Sequence, residues 1–199
     1  MSRLIQAAHR GTAVCIGGVP GAGKTTLLRS HVERERRDMQ ITGSSIVKQI
    51  IAPSTVQELD GWPSSRREAV REQSIRELVR LRESCAGRML VDGHFTLRNR
   101  VTGELEAIFT VQDKAFFQAL ILIHPSAEKV LEQRQGDSRP RAEQSLTDIA
   151  AHIEFEWEEG RRLAVEMGVP LLELSAPGLS QRLQAVDDFL RQVAPLDLP

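Results

Sequence analysis

Gly18-Val19-Pro20-Gly21-Ala22-Gly23-Lys24-Thr25 is the stretch on which the reading of this chain turns. Its spacing, G-x-x-x-x-G-K-[ST], is that of a phosphate-binding loop. Thr12-Ala13-Val14-Cys15-Ile16-Gly17 before it is short and apolar, as a buried strand is. Behind it, Thr25 to Val32 puts Leu27, Leu28 and Val32 on one helical face. Glycines let backbone N–H groups curl round an anion, and the N-terminus of the following helix adds partial positive charge. In that role Gly18, Gly21, Ala22, Gly23 and Thr26 would cradle phosphates, and Lys24 would reach the β- and γ-oxygens. Thr25 would offer its hydroxyl to Mg²⁺. A glycine-rich turn of no function has no need of the Lys-Thr pair or of both flanking elements. The expectation is a nucleoside-triphosphate site with Mg²⁺.

Composition narrows what else the chain does. Its 199 residues are 41% apolar, enough for a substantial core, and a single domain over residues 1–199 is expected. A formal charge of −1, six Phe, two Trp and no Tyr give no strong signature of nucleic-acid binding. Two cysteines, Cys15 and Cys85, stand outside any C-x-x-C pair, which argues against a metal centre or redox dithiol and suits a reducing compartment. Met1 to Arg10 contains no apolar leader core, and no later run approaches the ~20 apolar residues of a membrane span. A soluble, cytoplasmic protein without a membrane partner is expected.

Five apolar runs read as strands: Thr12–Gly17, Met39–Thr42, Met89–Val91, Ala119–His124 and Pro170–Leu174. Helical stretches alternate with them, near Lys24–Arg37, Ser44–Ile51, Ser64–Ser84, Ser126–Gln135, Gln144–Met167 and Leu179–Val193. Such alternation predicts an α/β fold in three layers, a central five-stranded parallel sheet flanked by helices, with ligands at the carboxyl ends of the strands. Pro53 and Asp60-Gly61-Trp62-Pro63 break the region over about 43–84 into a small excursion. The segment Gly93–Lys114 is the least regular, with Asn99 and Gly103 marking a turn.

Other residues could carry chemistry. Gly87-Arg88-Met89-Leu90-Val91-Asp92 ends a strand on a carboxylate, where Asp92 would hold Mg²⁺ with Thr25; capping the strand end is the bland alternative. His94 follows, beside the same cleft, as a contact rather than a required base, because phosphoryl transfer rests on positioning and electrostatics. Arg134, Arg139 and Arg141 flank a Gly and a Pro that interrupt helix, so a mobile lid over about 134–144 could clamp the transferring phosphoryl group. On the 64–84 helix most arginines are expected to face solvent and pair with Glu68, Glu72, Glu77 and Glu83, while Arg66 or Arg67 could meet an acceptor phosphate. His152 to Glu159 reads as helix surface plus core, with its charges spread around the helix.

The chain resembles the archaeal-type adenylate kinases, a branch of the nucleoside monophosphate kinases within the P-loop NTPase fold. Gly17 to Thr26, Val91-Asp92-Gly93-His94 and the Arg134…Gly136-Asp137…Arg139-Pro140-Arg141 stretch carry the likeness, and Leu146-Thr147-Asp148-Ile149 with His152 follow as in that family. The resemblance implies a kinase that moves the ATP γ-phosphoryl group to a small phosphorylated acceptor, a nucleoside monophosphate. Lys24, Arg134, Arg139 and Arg141 would be catalytic, and Gly43, Ser44, Arg66, Arg67 and His94 would border the acceptor. Where the family has Asn-Phe-Gly after the second strand, this chain has Ile41-Thr42-Gly43-Ser44. Two other readings stay open: a kinase acting on a non-nucleotide or nucleic-acid 5′-end acceptor, and an ATPase switch working with a protein partner.

Overall fold

A strand that is apolar on both faces must be covered on both, and the chain supplies a helix after each one. The computed structural model describes residues 11–136, 144–176 and 178–195. Its elements are β1 (Ala13–Gly17), α1 (Lys24–Arg34), β2 (Met39–Thr42), α2 (Gly43–Ile51), α3 (Val56–Asp60), α4 (Ser64–Arg82), β3 (Met89–Asp92), β4 (Thr96–Arg98), β5 (Leu105–Ala107), α5 (Val111–Phe116), β6 (Ala119–Ile123), α6 (Ala127–Gln135), α7 (Leu146–Met167), β7 (Leu171–Leu174) and α8 (Leu179–Val193). The main sheet runs β2-β3-β1-β6-β7. Every pairing in it is parallel, so the expected five-stranded architecture is the observed one.

Alternation along the strands divides the core. Val14, Ile16, Leu90, Ile121 and Ile123 point to a layer that includes Leu27, Leu28, Val130, Leu183, Val186 and Leu190. Cys15, Met89, Val91, Leu120 and Leu122 point to the opposite one, with Ile46, Ile75, Leu78, Phe95, Phe116 and Leu163. Each Leu or Ile fully buried in this way contributes about 1.5–3 kcal/mol relative to exposure. Register fixes the functional edge: Ile16 and Thr42 both lie opposite Asp92, so β1, β2 and β3 end side by side.

Local chemistry sets the boundaries. The Ser126 hydroxyl accepts the Lys129 N–H at the start of α6. Ser145 and Asp148 form a reciprocal capping box at α7, and Gly168 closes that helix at φ 65°. The helix expected over 24–37 stops at Arg34, because the chain turns inward to bring Asp38 to Arg88. The irregular segment after β3 contains an antiparallel hairpin, with Thr96 opposite Ala107. Asn99 makes its turn by accepting the N–H groups of Val101 and Thr102. Among the described residues, no helix is long and apolar enough to cross a membrane.

Candidate functional site

The phosphate loop leaves β1 at Gly17 and enters α1 at Lys24, with Gly23 in the left-handed conformation as the helix N-cap. Gly21 also has a positive φ of 93°, and a Cβ there would lie 2.9 Å from Arg134 Cγ. A side chain at position 21 would therefore be strained and would push away the arginine stacked on the loop. Lys24 is buried; its ammonium donates to the carbonyls of Gly18 and Val19, at 3.3 Å for Val19. Ala22 is wholly buried, whereas Thr25 and Thr26 are exposed at the mouth of the loop.

Thr25 donates its hydroxyl proton to Asp92 Oδ2 at 2.6 Å. The first turn of α1 and the end of β3 bring these two oxygens together across 67 positions of sequence. His94 Nδ1 lies 3.4 Å from Lys24 Nζ. An ammonium only donates, so Nδ1 is the acceptor and the imidazole proton sits on Nε2. Burial first, and the Lys24 charge second, hold the His94 pKa well below its usual range. The imidazole is neutral at pH 7.

Arg134, near the end of α6, donates from Nε to the carbonyl of Pro20 at 2.9 Å and also bonds Gln144 across residues 137–143. Arg139 and Arg141, with most of the expected lid, lie outside the described residues. Gly43 opens α2 beside the Asp92 carbonyl, which a Cβ would approach to 3.3 Å, and Ser44 is exposed next to it. Arg67 pairs with Glu106 of the hairpin at 2.7 Å. Arg66 instead stacks over Trp62 at 3.5 Å from the ring centroid. The other arginines of α4 follow the solvent-pairing expectation at Arg76–Glu72 and Arg80–Glu77. Arg71 departs from it, turning to within 3.7 Å of Asp113.

The largest correction lies on α7. His152, Glu156 and Glu159 are buried, at i, i+4 and i+7 on one face, so these three belong to the interior, while Glu154 and Glu158 are exposed and Ile153 is core, as expected. Glu156 is 1% exposed. Its Oε1 accepts the N–H of Gly18 at 2.7 Å and of Phe95 at 2.9 Å, and its Oε2 accepts the N–H of Thr96 at 2.6 Å and the Thr96 hydroxyl. His152 Nε2 is buried with no hydrogen-bond partner among the described residues. Burial and the nearby Arg98, then Arg134 and Lys24, lower its pKa to about 4. Arg182 of α8 was also missed: buried, it reaches the carbonyls of Ala176 at 2.6 Å and Ala22 at 3.4 Å. Only the i, i+4, i+7 spacing of 152, 156 and 159 could have signalled the polar face of α7.

Comparison with solved structures finds the same architecture. The chain is similar to shikimate kinase from Acinetobacter baumannii in complex with shikimate, at 13% identity and a TM-score of 0.58, over 92% of this chain and 93% of that one. It is similar to deoxyadenosine kinase from M. mycoides with bound dATP, at 11% identity and a TM-score of 0.56, over 90% and 100% of the two chains. It also resembles a chain of the Pnkp1/Rnl/Hen1 RNA repair complex, at 11% identity and a TM-score of 0.52. That match covers 76% of this chain and spans 46% of the other, less than half its length. At such identities the likeness is one of fold. A search of curated protein sequences finds no significant match. The family model described as an AAA domain matches residues 17–150, which begin at the phosphate loop and take in Asp92 and Arg134. The chain belongs to that family, as a P-loop nucleotide-binding protein of kinase-like fold.

Proposed function

We propose that this protein is an ATP- and Mg²⁺-dependent kinase that moves the ATP γ-phosphoryl group to a small phosphorylated acceptor, a nucleoside monophosphate. The observation that carries the reading is the convergence of Lys24, the Thr25–Asp92 pair and Arg134 on one glycine loop at the carboxyl edge of the sheet. A triphosphate suits this loop. Its oxygens would replace the Gly18 and Val19 carbonyls as acceptors for Lys24, and α1 presents its N-terminus to them. Thr25 Oγ1 and Asp92 Oδ2 are the oxygen pair that would hold Mg²⁺, which when bound neutralises charge between the β- and γ-phosphates.

The remaining chemistry belongs to the chain. Lys24 and Arg134 would compensate charge that develops on the transferring group, with Arg139 and Arg141 joining them as the lid closes. A neutral His94 leaves the Lys24 charge undiluted and can accept a hydrogen bond from it. Gly43, Ser44 and Arg67 would border the acceptor, and Arg66, stacked on Trp62, would lie at its rim. Closure would exclude water, which otherwise takes the phosphoryl group.

A second reading, in which the acceptor is a non-nucleotide or a nucleic-acid 5′ end, draws on the direct passage of Thr42 into α2 at Gly43, without the aromatic and amide of the resembling family. One experiment separates the two. ATP consumption with Mg²⁺ is followed against the ribo- and deoxynucleoside monophosphates, small hydroxyl acids, a 5′-hydroxyl oligonucleotide and no acceptor, with products identified by mass. A new nucleoside diphosphate is the expected product. A phosphorylated hydroxyl acid or oligonucleotide would select the second reading. ADP formed at one rate whatever is added would make the protein an ATPase and overturn both.

A further inference from the structure

Glu156 lies 138 positions from Gly18 and about 60 from the hairpin, yet its one carboxylate holds both. Gly18 opens the phosphate loop, and it is bonded on each side of its α-carbon: its N–H goes to Glu156 Oε1 and its carbonyl receives Lys24. A single residue thus separates the Glu156 carboxylate from the ammonium that would meet the phosphates. The other three bonds go to Phe95 and Thr96, where the chain enters β4. Packing reinforces the junction: a Cβ on Gly17 would lie 2.3 Å from the Phe95 ring, and one on Gly160, a turn beyond Glu156, would lie 2.8 Å from it.

From there the hairpin reaches three helices. Glu106 on β5 pairs with Arg67 of α4, Arg100 pairs with Asp60 of α3 at 3.1 Å, and Arg98 reaches the Asp148 carbonyl of α7. Helices α3, α4 and α7 are thus tied to one hairpin, and that hairpin is tied to the loop through Glu156.

We infer that Glu156 is a positioning residue that couples nucleotide binding at the loop to ordering of the Thr96–Ala107 hairpin. Four donors saturate a carboxylate that is shut off from water, so movement of Gly18 is transmitted to Phe95 and Thr96 rather than absorbed by solvent. Coupling of this kind is reciprocal: the factor by which nucleotide steadies the hairpin is the factor by which an ordered hairpin tightens nucleotide. The inference rests on nucleotide binding to the loop, and the test measures that separately.

The decisive substitution is Glu156→Gln. It keeps the shape, but an amide presents one accepting oxygen and one donating nitrogen. Its oxygen can accept from the Gly18 and Phe95 N–H groups or from the Thr96 N–H, and not from both. On the other side the nitrogen opposes an N–H and keeps at most a bond to the rotatable Thr96 hydroxyl, so the bridge loses its backbone bonds on one side with the space still filled. Amide hydrogen exchange over residues 95–107 is recorded with and without the β,γ-imido analogue of ATP and Mg²⁺, alongside the affinity for that analogue. In the wild type the analogue should slow hairpin exchange about tenfold, within the span usual for coupled sites. In Glu156→Gln the slowing should fall below about twofold and the affinity should drop by about the same tenfold factor. Thr96→Val, which removes only the hydroxyl donor, should retain part of the slowing, and it decides the matter if Glu156→Gln does not fold.

Each other result overturns the coupling. A wild type that binds the analogue without slowing of the hairpin refutes it, and so does equal slowing in wild type and Glu156→Gln with only the melting temperature reduced. If Thr96→Val alone is available, full wild-type slowing in it does the same. A wild type that binds no nucleotide removes the proposed function, and the coupling with it.

Discussion

The two edges of the sheet both bury charge, and they bury it differently. At the amino edge Asp38 is enclosed by its partners: it accepts Arg88 N–H at 2.8 Å, the Arg88 guanidinium at 2.8–3.0 Å and His31 Nε2 at 2.8 Å. His31 turns its other nitrogen to Asp187 of α8, so α1, β3 and α8 are knotted together. Burial acting alone would raise the Asp38 pKa, but the bonds from His31 and Arg88 hold it below the ordinary carboxylate range. At the carboxyl edge the polar groups converge on a loop whose mouth, Thr25 and Thr26, is exposed, and His152 Nε2 has no partner among the described residues. A closed network specifies structure. An open one keeps binding capacity for something outside the chain.

If that contrast is right, the same kind of substitution has different consequences at the two edges. The largest effect on stability is expected from Asp38→Ala, which leaves the Arg88 guanidinium in the interior without its carboxylate and His31 with Asp187 alone, and should cost about 3–5 kcal/mol in urea unfolding. Its phosphate loop should still bind nucleotide where the variant is folded. Loss of nucleotide binding in folded Asp38→Ala would blur the division between the edges.

Lys24→Ala should do the reverse. On the proposed function, loss of its charge should lower turnover on the order of 10²–10³-fold, or about 3–4 kcal/mol in the barrier. The melting temperature should stay level or rise, because a desolvated cation has been removed. A strongly destabilised Lys24→Ala would show that this edge, too, is built for structure.

The acid side of the stability curve gives the next test. His152 has a folded pKa of about 4 against an ordinary 6.5, so the unfolded chain binds its proton first. Its contribution is present in full above pH 6.5 and is lost as pH falls through about 4, by roughly 3 kcal/mol when complete. His152→Gln should flatten the wild-type slope between pH 6.5 and 4. An unchanged slope would mean that other groups carry it.

Smallest of all should be Gly160→Ala. Its methyl would press on the Phe95 ring, with a cost of about 1–3 kcal/mol, and Phe95→Leu should recover part of that in the double variant. Additive costs would mean that the junction between α7 and the hairpin relaxes independently of this contact.

Legibility followed how local each signal is. The loop, its strand and its helix are contiguous, and Asp92 is announced by the apolar run that it ends, so both are legible in the sequence alone. Ser126 and Gly168 end their helices by bonds within a few residues, and they too were legible. β4 and β5 were not, since three-residue strands are too short to show a period of two, although their turn at Asn99 and Gly103 was. Arg71 could not be told from Arg76 or Arg80 on a helix that is charged nearly all round; only the approach of α5 and its Asp113 distinguishes it.

The sequence by itself determined a parallel α/β sheet, a phosphate loop and a carboxylate at the neighbouring strand end, because each is written in residues that act on their immediate neighbours. Tertiary structure alone decided that Glu156 is interior rather than surface, that Arg182 backs the loop, and that a hairpin ties α4 to α7. The reason is physical. A carboxylate becomes a buried element of structure only when N–H donors from distant segments satisfy it, and backbone donors carry no residue type that a sequence could reveal.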